Sequence, residues 1–260
     1  MQTSTDGITW TIRTSAADQS WRGGAFGNGT FVLVASDGHV QTSSDGGIMW
    51  VNRTSASGNQ WRSVTFGNDT FVAVAQSGIG NRVQTSSDGG ITWLNRTSAD
   101  DNGWQSVTYG GGTFVAVAFN GSPNQVQTSS HGGITWASRT SAANRSWRSV
   151  IWGIGVFVAV ASSGTGTRVQ TSADGGVTWT LRTSAADNQW YGVTFGAGLF
   201  VAVAQDGFPN QVQTSDNSTR WISQTSTANN QWMAVTYGGG TLVAVAQAGT
   251  INNQIMTPGP

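Results

Sequence analysis

Cysteine, lysine and glutamate are all missing from this chain. Without cysteine there is no disulfide scaffold, thiolate zinc site or thiol nucleophile. Without lysine there is no Schiff-base or P-loop chemistry. Without glutamate the commonest glycosidase acid is gone, and so is the bidentate ligand of an EF-hand. The charges are 12 arginines and 12 aspartates, which sum to zero and argue against a nucleic-acid footprint. No run approaches 18 consecutive apolar residues, so no membrane span is expected. Met1 to Trp10 is polar and does not read as a signal peptide. The compartment is left open, with an extracellular, cell-surface or virion-surface setting favoured. The Asn-x-Ser/Thr triplets, for example at Asn28, Asn68 and Asn144, are what a chain so rich in Asn, Ser and Thr produces by composition.

What is present is one unit written repeatedly. One tryptophan series stands at Trp10, Trp50, Trp93, Trp136, Trp179 and Trp221. A second stands at Trp21, Trp61, Trp104, Trp147, Trp190 and Trp232. Both repeat every 40 to 43 residues, and they leave over only Trp152, which shares a repeat position with Phe26, Phe66, Tyr109, Phe195 and Tyr237. Within a unit, Trp61 to Phe66 reads as a strand and Gly67 to Asp69 as a tight turn. Phe71 to Ala75 is a continuous apolar run suited to a strand buried on both faces. Val83 to Ser86 is a third strand, Ser87 to Gly90 a turn, and Ile91 to Arg96 a fourth strand. Four short strands at this period, with no helical pattern, predict an all-β, six-bladed β-propeller in a single domain over residues 1–260. Blades start near the second tryptophan series. Residues 1–14 are expected to complete the last blade, with Met1–Ser4 and Gln254–Thr257 competing for its third strand.

The segment Ser87-Asp88-Gly89-Gly90-Ile91-Thr92-Trp93 resembles the Asp-box, or BNR repeat, of sialidase-like propellers. Copies stand at Ser44–Trp50 and Ala173–Trp179. His131 replaces the aspartate in the copy at Ser130–Trp136, and the copies at Thr5–Trp10 and Ser215–Trp221 are shorter. The resemblance implies a structural hairpin in which Asp6, Asp45, Asp88 and Asp174 hold the turn and Trp50, Trp93, Trp136 and Trp179 pack into the blade. It also implies that this turn lies opposite the usual ligand face. A sialidase would need a glutamate beside its tyrosine nucleophile, and none exists here. All three tyrosines fall at repeat positions, and His39 and His131 lie two units apart. No catalytic residue, cofactor or metal site is therefore expected, and the chain reads as non-enzymatic.

The opposite face carries more. Each junction offers a tryptophan starting a first strand, an arginine beside it in some copies, and neighbouring amides. Trp21, Trp61, Trp104, Trp147, Trp190 and Trp232, with Arg62, Arg82, Arg148 and Arg168, are thus candidates for repeated inter-blade ligand contacts. Planar aromatic and guanidinium groups suit carbohydrate, and repetition on a rigid ring would compensate for weak single sites. The competing reading makes the same tryptophans core residues. Arg13, Arg53, Arg96, Arg139 and Arg182 are expected to bond loop carbonyls across blades. The expected function is a glycan-binding propeller. The alternatives are a structural or protein-interaction propeller, recently amplified or engineered, and a glycosidase-like one.

Overall fold

Alternating β-branched and aromatic residues between glycine turns form twenty-five short strands in the computed structural model, which describes residues 1–248 and 254–257. No helix occurs among them. The chain opens with β1 (Gln2–Thr3) and β2 (Thr11–Ile12). Blade one is β3 (Trp21–Gly27), β4 (Thr30–Ala35), β5 (Val40–Ser43) and β6 (Val51–Arg53). Blade two is β7 (Trp61–Gly67), β8 (Thr70–Ala75), β9 (Val83–Ser86) and β10 (Leu94–Arg96). Blade three is β11 (Trp104–Gly110), β12 (Thr113–Ala118), β13 (Val126–Ser129) and β14 (Ala137–Arg139). Blade four is β15 (Trp147–Gly153), β16 (Val156–Ala161), β17 (Val169–Ser172) and β18 (Thr180–Arg182). Blade five is β19 (Trp190–Gly196), β20 (Leu199–Ala204), β21 (Val212–Ser215) and β22 (Ile222–Gln224). Blade six is β23 (Trp232–Gly238), β24 (Thr241–Ala246) and β25 (Ile255–Met256). Each sheet is an antiparallel meander, and together they make the six-bladed propeller that the repeat foretells.

The core lies between blades. One cluster joins Val32, Val34 and Val40 of blade one to Trp61, Phe71, Ala73, Ala75 and Trp93 of blade two, and equivalent clusters follow around the ring. This is why the Phe-Val-Ala-Val-Ala run is apolar throughout: its strand has a neighbour on each face. The small alanines let the sheets approach. The glycine ending each first strand makes room for the next blade's aromatic. A Cβ on Gly67 would lie 2.1 Å from the Tyr109 ring, and one on Gly110 would lie 2.0 Å from that of Trp152.

Two expectations are corrected. The fourth strands are shorter than the sequence suggests, because Ile91 to Trp93 belong to the turn and only Leu94–Arg96 pairs with β9. Residues 1–14 do not add strands to the last blade. β1 pairs with β2 alone, while β25 takes the third place in blade six through Ala244↔Met256 and Val245↔Ile255. β25 lies close to β24 in sequence, so this pairing closes a shorter loop than one recruiting the far end of the chain. The N-terminal hairpin instead lies face to face between blades six and one. A Cβ on Gly7 would meet Val243 of blade six, and a Cβ on Gly47 of blade one would meet Thr3.

Candidate binding site at the inner rim

The aspartate turns are closed by hydrogen bonds among their own residues. Asp88 accepts from the Ile91 and Thr92 N–H groups at 3.1 and 3.0 Å and from the Thr92 hydroxyl at 2.6 Å. Ser86 donates to Asp88 and accepts from Gly90 N–H, and Trp93 Nε1 donates to the Gly90 carbonyl. Asp174 repeats this set, and Asp45 repeats it without the hydroxyl, because Met49 stands where Thr92 does. Trp50 and Trp179 repeat the indole bond, as does Trp136 in the copy that has His131. Hydrogen bonds to the charged form keep these carboxyls acidic. Asp6 is held at about 2, by Thr9 N–H first and then by Ile8 N–H and the Ser4 hydroxyl. Asp174 is also held at about 2: burial pushes it up, and the hydroxyls of Thr178 and Ser172 with the N–H groups of Thr178 and Val177 more than reverse that. In the last copy the acceptor is Asn217, not Asp216, and Ser218 adopts the positive φ otherwise taken by glycine.

The tryptophan candidates for ligand contact lie in the core. Trp61, Trp104, Trp147, Trp190 and Trp232 are fully buried, and a sugar needs an open ring face that these five lack. Trp21 alone is half-buried, with Nε1 donating to the Ser15 hydroxyl. Arg82 and Arg168 are engaged by their own loops. Their Nε groups donate to the carbonyls of Gly78 and Gly164, and they pair with Asp101 and Asp187 at 3.6 and 3.8 Å. Arg53, Arg96, Arg139 and Arg182 do not reach across blades: each donates from Nε to a threonine hydroxyl on the adjacent strand of its own sheet.

The remaining candidates, Arg62 and Arg148, are brought together. In all six blades the register slips between the starting tryptophan and the residue two places on, for instance between Trp61↔Ala75 and Ser63↔Val74. The residue in between is a β-bulge, unpaired and re-aimed out of the ladder. Around the ring these bulge residues are Arg22, Arg62, Gln105, Arg148, Tyr191 and Met233. The first strands are the inner, mutually stacked ones from β3 through β23, so the bulges ring the inner rim. Arg62 is held below the usual arginine value by burial first, then by the charges of Arg22 and Arg148. Three guanidiniums distant in sequence therefore share one field. Arg148 lies 5.0 Å from the Tyr191 ring centroid and 5.7 Å from that of Phe119, and its Nε donates to Ser162 at 2.8 Å. Arg22 Nε donates to Ser36 at 3.3 Å. Arg62 Nε is buried and has no partner in the structure. No ion pair involves any of the three among the described residues. The sequence pointed to Arg62 and Arg148. It passed over Arg22, Tyr191 and Phe119, although Arg22 and Tyr191 stand at the same repeat position.

Among the described residues no three His, Cys, Asp or Glu side chains gather as a metal site would require, and no helix is long and apolar enough to cross a membrane.

No protein-family model matches the chain, and no curated protein does. Solved structures do. The computationally designed Ika8 protein superposes with a TM-score of 0.65 at 13% identity, over 93% of this chain and 71% of that one. YCF48 from Cyanidioschyzon merolae gives 0.64 at 17% identity, over 88% and 80%. YCF48 bound to D1 peptide gives 0.64 at 18% identity, over 92% and 80%. At these identities the likeness shows the β-propeller fold and nothing finer.

Proposed function

We propose that this is a non-enzymatic interaction propeller with turns of the Asp-box kind, and that its inner rim takes an anionic segment of a protein partner. The observation that carries this is the half-buried Arg62, whose buried Nε has no partner and which lies in the field of two further arginines, none of the three in an ion pair among the described residues. A buried polar group without a partner calls for an ion, water or ligand, and three like charges at one rim favour an anion. Tyr191, Gln105 and Phe119 add flat and amide surface around the guanidiniums. Peptide is the better-supported class because a solved propeller of similar fold, YCF48, is bound to a peptide. A glycan would have to rely on the same rim or on Trp21, since the other five tryptophans on which it would stack are closed.

Fluorescence anisotropy tests the proposal with a labelled aspartate-rich decapeptide and its asparagine counterpart. The acidic peptide should bind, its affinity should fall as sodium chloride rises, and Arg62→Ala should weaken it at least tenfold. Equal binding of both peptides, or indifference to Arg62→Ala, overturns the reading. Saturable binding on a glycan array without peptide binding would favour the sugar.

A further inference from the structure

The junction between blades six and one is built unlike the other five. The first strands of neighbouring blades stack on one another from β3 through β23, yet β23 and β3 make no comparable contact. Between them stands the N-terminal hairpin, and it supplies only the outer half of a blade. Its turn covers blade six as other turns cover their neighbours: Gly7 faces Val243 and Thr257 as Gly90 faces Val32 and Thr42. Thr3 faces Gly47 as Thr85 faces Gly133. β1 therefore occupies a third-strand place and β2 a fourth-strand place. No described strand fills the first and second places beside them. What remains is a cleft of about 540 Å³, lined by Thr5, Trp10, Phe31, Tyr237, Val243 and Val245 among others.

The walls of this cleft continue the blade-on-blade interface and are left uncovered. Phe31 is 36% exposed and Val245 40%, where their equivalents Phe71 and Val74 at an interior junction are buried, and Phe26 is 57% exposed, where its equivalent Phe66 is half-buried. A Cβ on Gly238 would meet nothing, whereas the five equivalent glycines lie against the next blade's ring. The floor is a free strand edge. Arg13 N–H donates to the Met1 carbonyl, so by antiparallel alternation Gln2 turns its N–H and C=O away from β2. Elsewhere that side of the third strand is paired with the Phe-Val-Ala-Val strand, in the register Phe71↔Ser86, Val72↔Thr85, Ala73↔Gln84 and Val74↔Val83.

We propose that the cleft between blades six and one is a strand-docking site, taking an extended segment of a partner protein that pairs antiparallel with β1. The chain's own repeats state the chemistry of the occupant: an aromatic, a β-branched residue, a small residue opposite Gln2, and a second β-branched residue. Main-chain bonds to the free edge supply affinity, and the alternate side chains enter the exposed faces of blades six and one. A second copy of this chain is the poorer occupant. Its matching strands are each already paired on both sides and would have to leave their own blades first.

The experiment uses a soluble peptide carrying the sequence Thr70–Ala75 between arginine pairs, with a control in which Phe and Val are replaced by Asn. Titration calorimetry should give saturable binding of the first peptide alone. Hydrogen exchange should show new protection over residues 1–4. Gln2→Pro removes the edge donor without touching a β1–β2 bond and should weaken binding at least tenfold. Val245→Asp, on the exposed wall, should do the same, with the fold checked by circular dichroism. Absence of binding at millimolar peptide overturns the proposal. So does binding that neither variant diminishes, and so does a protein that elutes as a dimer with residues 1–4 already protected.

Discussion

Between blades two and three, Tyr109 covers Gly67, Trp104 is fully buried, and Val72 and Val74 are sealed under the neighbouring sheet. At the seam between blades six and one, Gly238 faces nothing, Trp21 is half-buried, and Phe26 and Val245 reach solvent. The residues come from the same repeat positions and the local strand geometry is the same. What differs is whether a complete neighbour stands alongside. Blade stability thus resides in junctions more than in sheets, as expected when each repeat leaves a face that only the next can bury.

The comparison can be broken by removing the largest buried group on each side. Trp147→Ala empties a fully buried site and should cost about 3–5 kcal/mol. Trp21→Ala should cost less than half as much in the same guanidinium titration. Equal losses would mean that the seam is as well packed as the interior. A smaller change sharpens the contrast by giving it opposite signs. Gly110→Ala drives a Cβ to 2.0 Å from the Trp152 ring and should destabilise by at least ~1–3 kcal/mol. Gly238→Ala has free space and no left-handed φ, so it should be neutral or stabilise by up to about 0.5 kcal/mol through the unfolded chain.

Much of this was legible in the residues. The two tryptophan series gave the blade count, and Phe71 to Ala75, apolar at every position, announced a strand covered on both faces. The glycine before each turn resisted interpretation, because its partner, for example Tyr109 for Gly67, lies a whole blade away. The bulge that gathers Arg22, Arg62 and Arg148 was equally hidden, since a one-residue register slip leaves no mark on a period of about 43. The tryptophans misled as ligand candidates for a related reason. A ring at a strand start can be half open or closed, and only the stacking of the preceding blade decides. The third-strand competition was visible as two candidates, Met1–Ser4 and Gln254–Thr257. Its outcome depended on loop closure and on the packing of the hairpin turn, and neither is written in a motif.

The aspartate turns allow a finer version of the same comparison, within one motif. Asp6 and Asp174 are held at about 2, and Asp45 and Asp88 are also lowered. Their folded values lie below the ordinary 3.8, so the stability they contribute is complete above that value and is lost as pH falls towards 2. The melting temperature should therefore drop between about pH 4.5 and 2. Blade three contributes nothing to this drop through its turn, because His131 stands where the carboxylate would be. There Ser129 still accepts from Gly133 N–H and Trp136 still donates to the Gly133 carbonyl, but Thr135 N–H and hydroxyl lack the acceptor that Asp88 gives Thr92. His131→Asp supplies it on a backbone already shaped for it. Hydrogen bonds to a charged group, discounted for the exposure of this turn, make the gain about 1 kcal/mol at pH 7. The gain should shrink as the solution is acidified and vanish near pH 2, where the new carboxyl is protonated. A gain that persists undiminished at pH 2 would mean that the histidine itself was unfavourable and that the carboxylate adds nothing to the turn.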